Sequence, residues 1–272
     1  MKISVDGGAL NPKNNQRFGT SIFSENLVAA LKLYDKKNQY FIYTFKNLKP
    51  KLFWLKGRIS LEELKQKKDI FLALNQAIPL YTSGKVISFC HGLSYFFHPQ
   101  LYPKRDVVRL KKQLEEMVKR SDKIIVSSEK VKKELVSINQ LIKTKIIVIP
   151  FGIPFEMKRG KEKKRKKFFL YIGMDHPIKN INFVKQVFNE FIKDKKYKDY
   201  KLYILTKNVS RKKLKKLYQK AAALLTSSHY ESFNFPVLEA LSQGCPVVGL
   251  KSAIIPELET YVNLANNVEE FV

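Results

Sequence analysis

Short apolar runs alternate along this chain with longer segments whose apolar residues recur at every third or fourth position. The runs at 1–5, 40–43, 70–74, 85–90, 123–126 and 146–149 are bounded by polar or turn-forming residues and read as buried strands. Between them, 21–33 and 104–120 read as helices. In the second of these Val107, Leu110, Leu114, Met117 and Val118 fall on one stripe. A further helix carries Val131 and Leu135 behind a cap at Ser127 or Ser128. The pattern then repeats, with strands at 168–172, 202–205, 221–225 and 246–249 and helices at about 182–191 and 211–219. A last helix opens near Pro236, a residue suited to a first helical turn. Strand and helix alternating throughout predict βαβ units around parallel sheets, an α/β fold.

The two series are separated by a charge run at 158–167 that cannot enter a core. This predicts two consecutive Rossmann-like domains, 1–154 and 168–272, joined by a basic linker at 155–167. A cleft is expected between them, with ligands outside the carboxyl ends of the strands.

Composition narrows the picture only in part. The chain has 272 residues, 44% of them hydrophobic, enough for two small domains with real cores. Cys90 and Cys245 lie far apart and border apolar runs, so buried reduced thiols of a cytoplasmic protein are expected. No apolar run approaches the roughly 20 residues that span a bilayer, and the N-terminus reads as a strand rather than a secretory signal. A soluble or peripheral protein is expected. The net charge of +27 is compatible with nucleic acid, anionic lipid or phosphorylated substrates, and does not choose among them.

The candidate chemistry concentrates at 229–248, His-Tyr-Glu-Ser-Phe-Asn-Phe-Pro-Val-Leu-Glu-Ala-Leu-Ser-Gln-Gly-Cys-Pro-Val-Val. Glu231 lies in a loop before a helix and Glu239 about one turn inside it. Gly244 and Pro246 stop the helix. A helix start favours anions and carboxylates accept sugar hydroxyls, a combination that suits a sugar attached to phosphate. The alternative is that Glu239 complements the helix dipole and Glu231 is a solvated loop residue.

With Phe233, Pro236, Ala240, Gly244, Pro246 and Val247 around the two glutamates, this stretch resembles the signature of retaining GT-B glycosyltransferases of family 4. Its usual form is Glu-Gly-Phe-Gly-Leu-Pro-x-x-Glu-Ala, followed by Gly-x-Pro-Val. Ser232 and Asn234 stand here where the family has glycine. The N-terminal half resembles bacterial mannosyltransferase-like members. Ile3-Ser4-Val5-Asp6 matches their opening strand, and Phe18-Gly19-Thr20-Ser21 matches the glycine loop before the first helix. His91-Gly92-Leu93, then Pro99, matches their His-Asp-Leu segment, with Gly92 in place of aspartate. Ile149-Pro150-Phe151-Gly152-Ile153 resembles the exit from the first domain, and 173–180 the loop after the first strand of the second.

The resemblance implies transfer of a sugar from a nucleotide-sugar donor to an acceptor hydroxyl, with retention of configuration. It implies that Glu239, expected outside the core, holds the ribose hydroxyls and that Glu231 and His91 contact the sugar. Lys179 would stabilise the departing diphosphate. Gly19, Ser232, Phe233, Asn234 and Phe235 would complete the donor site with backbone amides. Met174 and Ile178 stand where a second cation is usual. No metal and no cofactor are expected, since lysine and helix amides would carry the leaving-group charge and no acidic metal motif is present. The expected acceptor is a glycan or lipid-linked glycan, in envelope or polysaccharide synthesis. The stripe at 104–120 should pack on its sheet and leave a cationic face for an anionic membrane.

Members of the family carry another helix and strand between the segments matched by 202–206 and 213–217, and closing helices beyond the segment that ends at Val272. The second domain therefore reads as reduced. That reduction favours a rival reading, a catalytically inactive GT-B-fold binding or partner protein. Charge alone favours a nucleic-acid-binding protein. The basic stretch lacks interleaved aromatics and no nucleic-acid module is recognisable, so nucleic acid is not expected as a partner.

Overall fold

The computed structural model describes residues 1–10, 19–49, 52–158 and 164–272. It divides into two compact units, Met1–Pro150 and Phe151–Val272. The loop expected before the first helix, with Phe18, lies at 11–18, outside the described residues, as does 159–163 of the basic run.

The first unit contains strands β1 (Lys2–Asp6), β2 (Gln39–Tyr43), β3 (Ile70–Ala73), β4 (Lys85–Cys90), β5 (Lys123–Val126) and β6 (Ile146–Val148). They form one sheet in the order β2-β1-β3-β4-β5-β6, parallel at every pairing, with Val5 beside Ile42 on one side and Leu72 on the other. Its helices are α1 (Gly19–Tyr34), α2 (Ser60–Lys65), α3 (Ser94–Phe97), α4 (Lys104–Arg120) and α5 (Glu129–Ile138). Leu114 and Met117 of α4 are buried, and Leu110 and Val118 pack against the core built on Phe71, Ile124 and Val126. Ser128, rather than Ser127, caps α5 by accepting from Val131 N–H at 3.4 Å.

A wide π-type turn, Trp54–Ile59, runs directly into α2, where the hydrophobic pattern announces no element. Trp54 and Ile59 are its buried residues. They are five positions apart, a spacing that fits neither a strand nor an α-helix. Phe53 opens this turn at φ 49°, left-handed for a bulky residue.

The second unit contains β7 (Phe168–Ile172), β8 (Lys201–Leu205), β9 (Ala223–Thr226), β10 (Val247–Leu250) and β11 (Asn263–Ala265), in the order β11-β10-β9-β7-β8. All pairings are parallel. Its helices are α6 (Ile181–Phe191), α7 (Arg211–Lys220), α8 (Phe235–Ser242) and α9 (Val268–Phe271). Tyr171, Val184, Val187, Leu225, Ala265 and Phe271 belong to one buried apolar cluster of this unit. Strand β11 has no counterpart in the sequence reading, because a three-residue edge strand with two exposed positions leaves no alternation to detect.

The basic stretch read as a linker is held at both described ends by this unit. Met157 is fully buried, and its carbonyl accepts from Ser242 Oγ and Gln243 Nε2, each at 3.0 Å. Arg165 donates to the carbonyls of Tyr218 (2.9 Å) and Gly244.

Candidate active site

Every strand of the second sheet delivers its carboxyl end to the same edge, as parallel pairing requires. Two loops on that edge are fastened to each other. After β7, residues 177–179 form a tight turn capped by His176, whose Nδ1 accepts from Ile178 N–H at 3.2 Å. After β9, Ser227 Oγ donates to the carbonyls of Lys179 (3.2 Å) and Asn180 (2.8 Å), and His229 N–H donates to that of Ile178 (2.9 Å). Tyr171 OH donates to the Lys179 carbonyl from below, at 2.9 Å. The lysine turn is thus positioned through its backbone.

This fastening brings together two of the sequence candidates. Lys179 Nζ donates to Glu231 Oε1 at 2.5 Å, and Ser228 Oγ donates to the same oxygen at 2.7 Å. The side chains are 20% and 12% exposed, so the pair is neither solvated nor sealed. A lysine and a carboxylate at the mouth of a parallel sheet can bind an anionic group and a hydroxyl side by side. Ile178, one of the two residues at the usual place of a second cation, is buried.

Asn234 and its neighbours form the floor. Asn234 holds φ 68° and ψ 72°, a conformation glycine adopts freely and asparagine adopts at small cost. Its Oδ1 accepts from Val237 N–H at 3.4 Å, capping α8, while Nδ2 donates to Thr226 Oγ1 (3.2 Å) and the Ala253 carbonyl (2.9 Å). Asparagine thus holds a backbone that glycine adopts freely, and adds a cap. Phe233 and Phe235 are buried, their rings packed on Phe151 with centroids 5.1 and 5.7 Å away. Ser232 is half-buried beside them.

Glu239 requires a correction. It is 2% exposed rather than outside the core, because the short helix α8 turns its position toward α7. Arg211 Nη2 donates to its Oε1 at 2.7 Å and Tyr218 OH donates to its Oε2 at 3.1 Å. Burial raises the Glu239 pKa above the ordinary carboxylate value, and Arg211 opposes that rise. The same burial, with Glu239 adjacent, pushes the Tyr218 phenol well up. Sequence reasoning missed Arg211 and Tyr218; the only signal was their place on a predicted helix of the same half.

In the first unit His91 directly follows β4. Its Nε2 donates to the Leu74 carbonyl at 2.6 Å and its ring lies edge-on to Phe23, centroids 5.0 Å apart. Burial lowers its pKa, so the neutral imidazole is favoured. Gly92, beside it, holds φ 118°. Gly19 is the exposed first residue of α1. Asp6 ends β1 at the same edge, a buried carboxylate that accepts from Gly8 N–H at 2.9 Å. Burial pushes its pKa up to about 6. Among the described residues no three His, Cys, Asp or Glu side chains converge as a metal site, and no helix is long and apolar enough to cross a membrane.

Residues 203–261 match the family model described as glycosyl transferases group 1. The match includes Arg211, Glu231 and Glu239. A probable sucrose-phosphate synthase of Thermosipho melanesiensis is 28% identical over 187 residues, 54% of this chain and 44% of that protein. An O-antigen chain mannosyltransferase of Salmonella typhimurium is 25% identical over 242 residues, 78% of this chain and 65% of that one. The chain spans 44–65% of the length of the curated relatives it matches. Among solved structures, Anabaena HepE in complex with UDP and glucose superposes with a TM-score of 0.66 at 11% identity, over 99% of this chain and 87% of that one. The two parallel-sheet units are those of the GT-B glycosyltransferase fold.

Proposed function

We propose that this chain is a glycosyltransferase that moves a sugar from a nucleotide-sugar donor to an acceptor hydroxyl, with retention and without a metal. The observation that carries the reading is the Lys179–Glu231 pair, held at the carboxyl edge of the second sheet by two fastened loops. In the reaction the bond from anomeric carbon to diphosphate oxygen breaks, and its electron pair leaves with the nucleoside diphosphate. The acceptor oxygen forms the new bond and gives up its proton. Lys179 offsets charge on the departing diphosphate. Glu231 accepts from sugar hydroxyls, and Glu239 accepts from the ribose. Backbone amides at 232–235 line phosphate or sugar.

HepE, solved with UDP and glucose, supports a nucleotide-sugar donor, and the O-antigen chain mannosyltransferase relative supports a glycan acceptor, which we propose to be a polysaccharide or lipid-linked glycan. The proposed place of action is the cytoplasm, at the inner face of the membrane. A thermal-shift screen over UDP-, GDP-, ADP- and dTDP-sugars tests the donor site. One nucleotide class should raise the melting temperature in the micromolar to millimolar range, and indifference to all four would end the reading. A second reading, an inactive binding protein of the same fold, is favoured by the closure of Glu231 and Glu239 into ion pairs. It predicts donor binding with neither transfer nor donor hydrolysis.

A further inference from the structure

Arg211 occupies an electrostatically awkward place. It is the first residue of α7, followed by Lys212 and Lys213, and this first turn has no acidic residue. Cations at a helix N-terminus oppose its dipole. Of these three cations, Arg211 alone is not exposed. Its side chain is 17% exposed and that of its partner Glu239 3%. The partner lies 28 positions later, on a different helix. The link from β8 to α7 is only 206–210, which keeps the first turn of α7 near the carboxyl edge where β8 ends.

A carboxylate offers about four lone-pair sites. Arg211 occupies one on Oε1 and Tyr218 one on Oε2, which leaves one on each oxygen. We propose that Arg211 is a positioning residue for nucleotide binding: with Tyr218 it fixes the plane and the charge of Glu239, so that the two remaining lone pairs present a matched acceptor to a vicinal diol. This rests on the reading of the second unit as a nucleotide-sugar site, and adds to it the residue that keeps a buried carboxylate fit for the ribose.

The groups facing Glu239 are Arg211 and Tyr218 from α7 and Glu156 from the turn at Phe155–Met157, with Cys245 near Tyr218 beyond α8. Burial and Glu156 favour the protonated carboxyl; Arg211 and Tyr218 favour the carboxylate. Diol binding needs the carboxylate, so affinity falls as pH drops through the Glu239 pKa. Removing Arg211 raises that pKa further, and the loss must begin at a higher pH.

The test is calorimetric titration of the whole chain with UDP, GDP, ADP and dTDP between pH 5.5 and 8.5. For the diphosphate that the wild type binds, Arg211→Gln should bind about tenfold weaker near pH 6 and approach wild-type affinity near pH 8.5. Arg211→Lys should restore most of the loss. Tyr218→Phe should shift the profile in the same direction by less, and it serves if Arg211→Gln does not fold. An unchanged profile in the folded variants overturns the inference, as does a loss equal at every pH that lysine does not repair. A wild type that binds none of the four diphosphates removes the donor-site reading itself, and Arg211 with it; a wild type that binds, beside variants that bind alike, removes Arg211 alone.

Discussion

Lys179 and Glu231 lie 52 positions apart and meet at 2.5 Å, through no effort of their own side chains. The turn that carries the lysine is held by its carbonyls, so replacing the side chain should leave the turn in place. Lys179→Ala should lower kcat by about 100-fold, the scale of losing one positioned charge-stabilising donor, with a smaller rise in KM. Steady-state transfer assays with saturating acceptor check this. A raised KM with wild-type kcat would reduce Lys179 to a binding residue. Both members of this pair are legible in the sequence because a motif surrounds each. Arg211 is not. Within Arg211-Lys212-Lys213 it looks like any solvated basic run, and only the fold reveals that it turns toward a carboxylate on another helix. Glu239 was expected outside the core, and its burial was not legible, since it depends on α7 lying over α8.

Helix α8 and the loop before it depend on one residue for both backbone and cap. Asn234 holds the left-handed region, which glycine adopts freely and asparagine tolerates. It also caps the helix and fills two buried hydrogen bonds. Asn234→Ala combines left-handed strain with loss of the cap and should cost about 2 kcal/mol. Asn234→Gly keeps the backbone and should cost less than half of that. Urea denaturation of the three proteins decides it; equal losses would mean that the hydrogen bonds, not the backbone, set the requirement. The strands were legible for the same local reason, as apolar runs between turn residues. The π-type turn at Trp54–Ile59 and the edge strand β11 were not, because one has five-residue spacing and the other is too short for any period.

For the whole molecule, the net charge of +27 is the property the fold explains least. Packing claims the apolar stripe of α4 but leaves Lys104, Arg105, Arg109, Lys112 and Lys119 exposed. Each cation near an anionic surface adds about 1 kcal/mol, so salt-sensitive binding without insertion is the expected mode. Co-sedimentation with vesicles should rise with anionic lipid and fall sharply from low to high salt. Binding that ignores salt or lipid charge would sink the idea. Each unit buries apolar residues of its own, Phe71, Ile124 and Val126 in Met1–Pro150 and Tyr171, Leu225 and Ala265 in Phe151–Val272. A chain built this way need not melt as one body. Scanning calorimetry should resolve two endotherms, and a nucleotide held at the carboxyl edge of the second sheet should move only the one that belongs to Phe151–Val272. The heat-absorption trace would then report which half of the protein a ligand has chosen, before any turnover is measured.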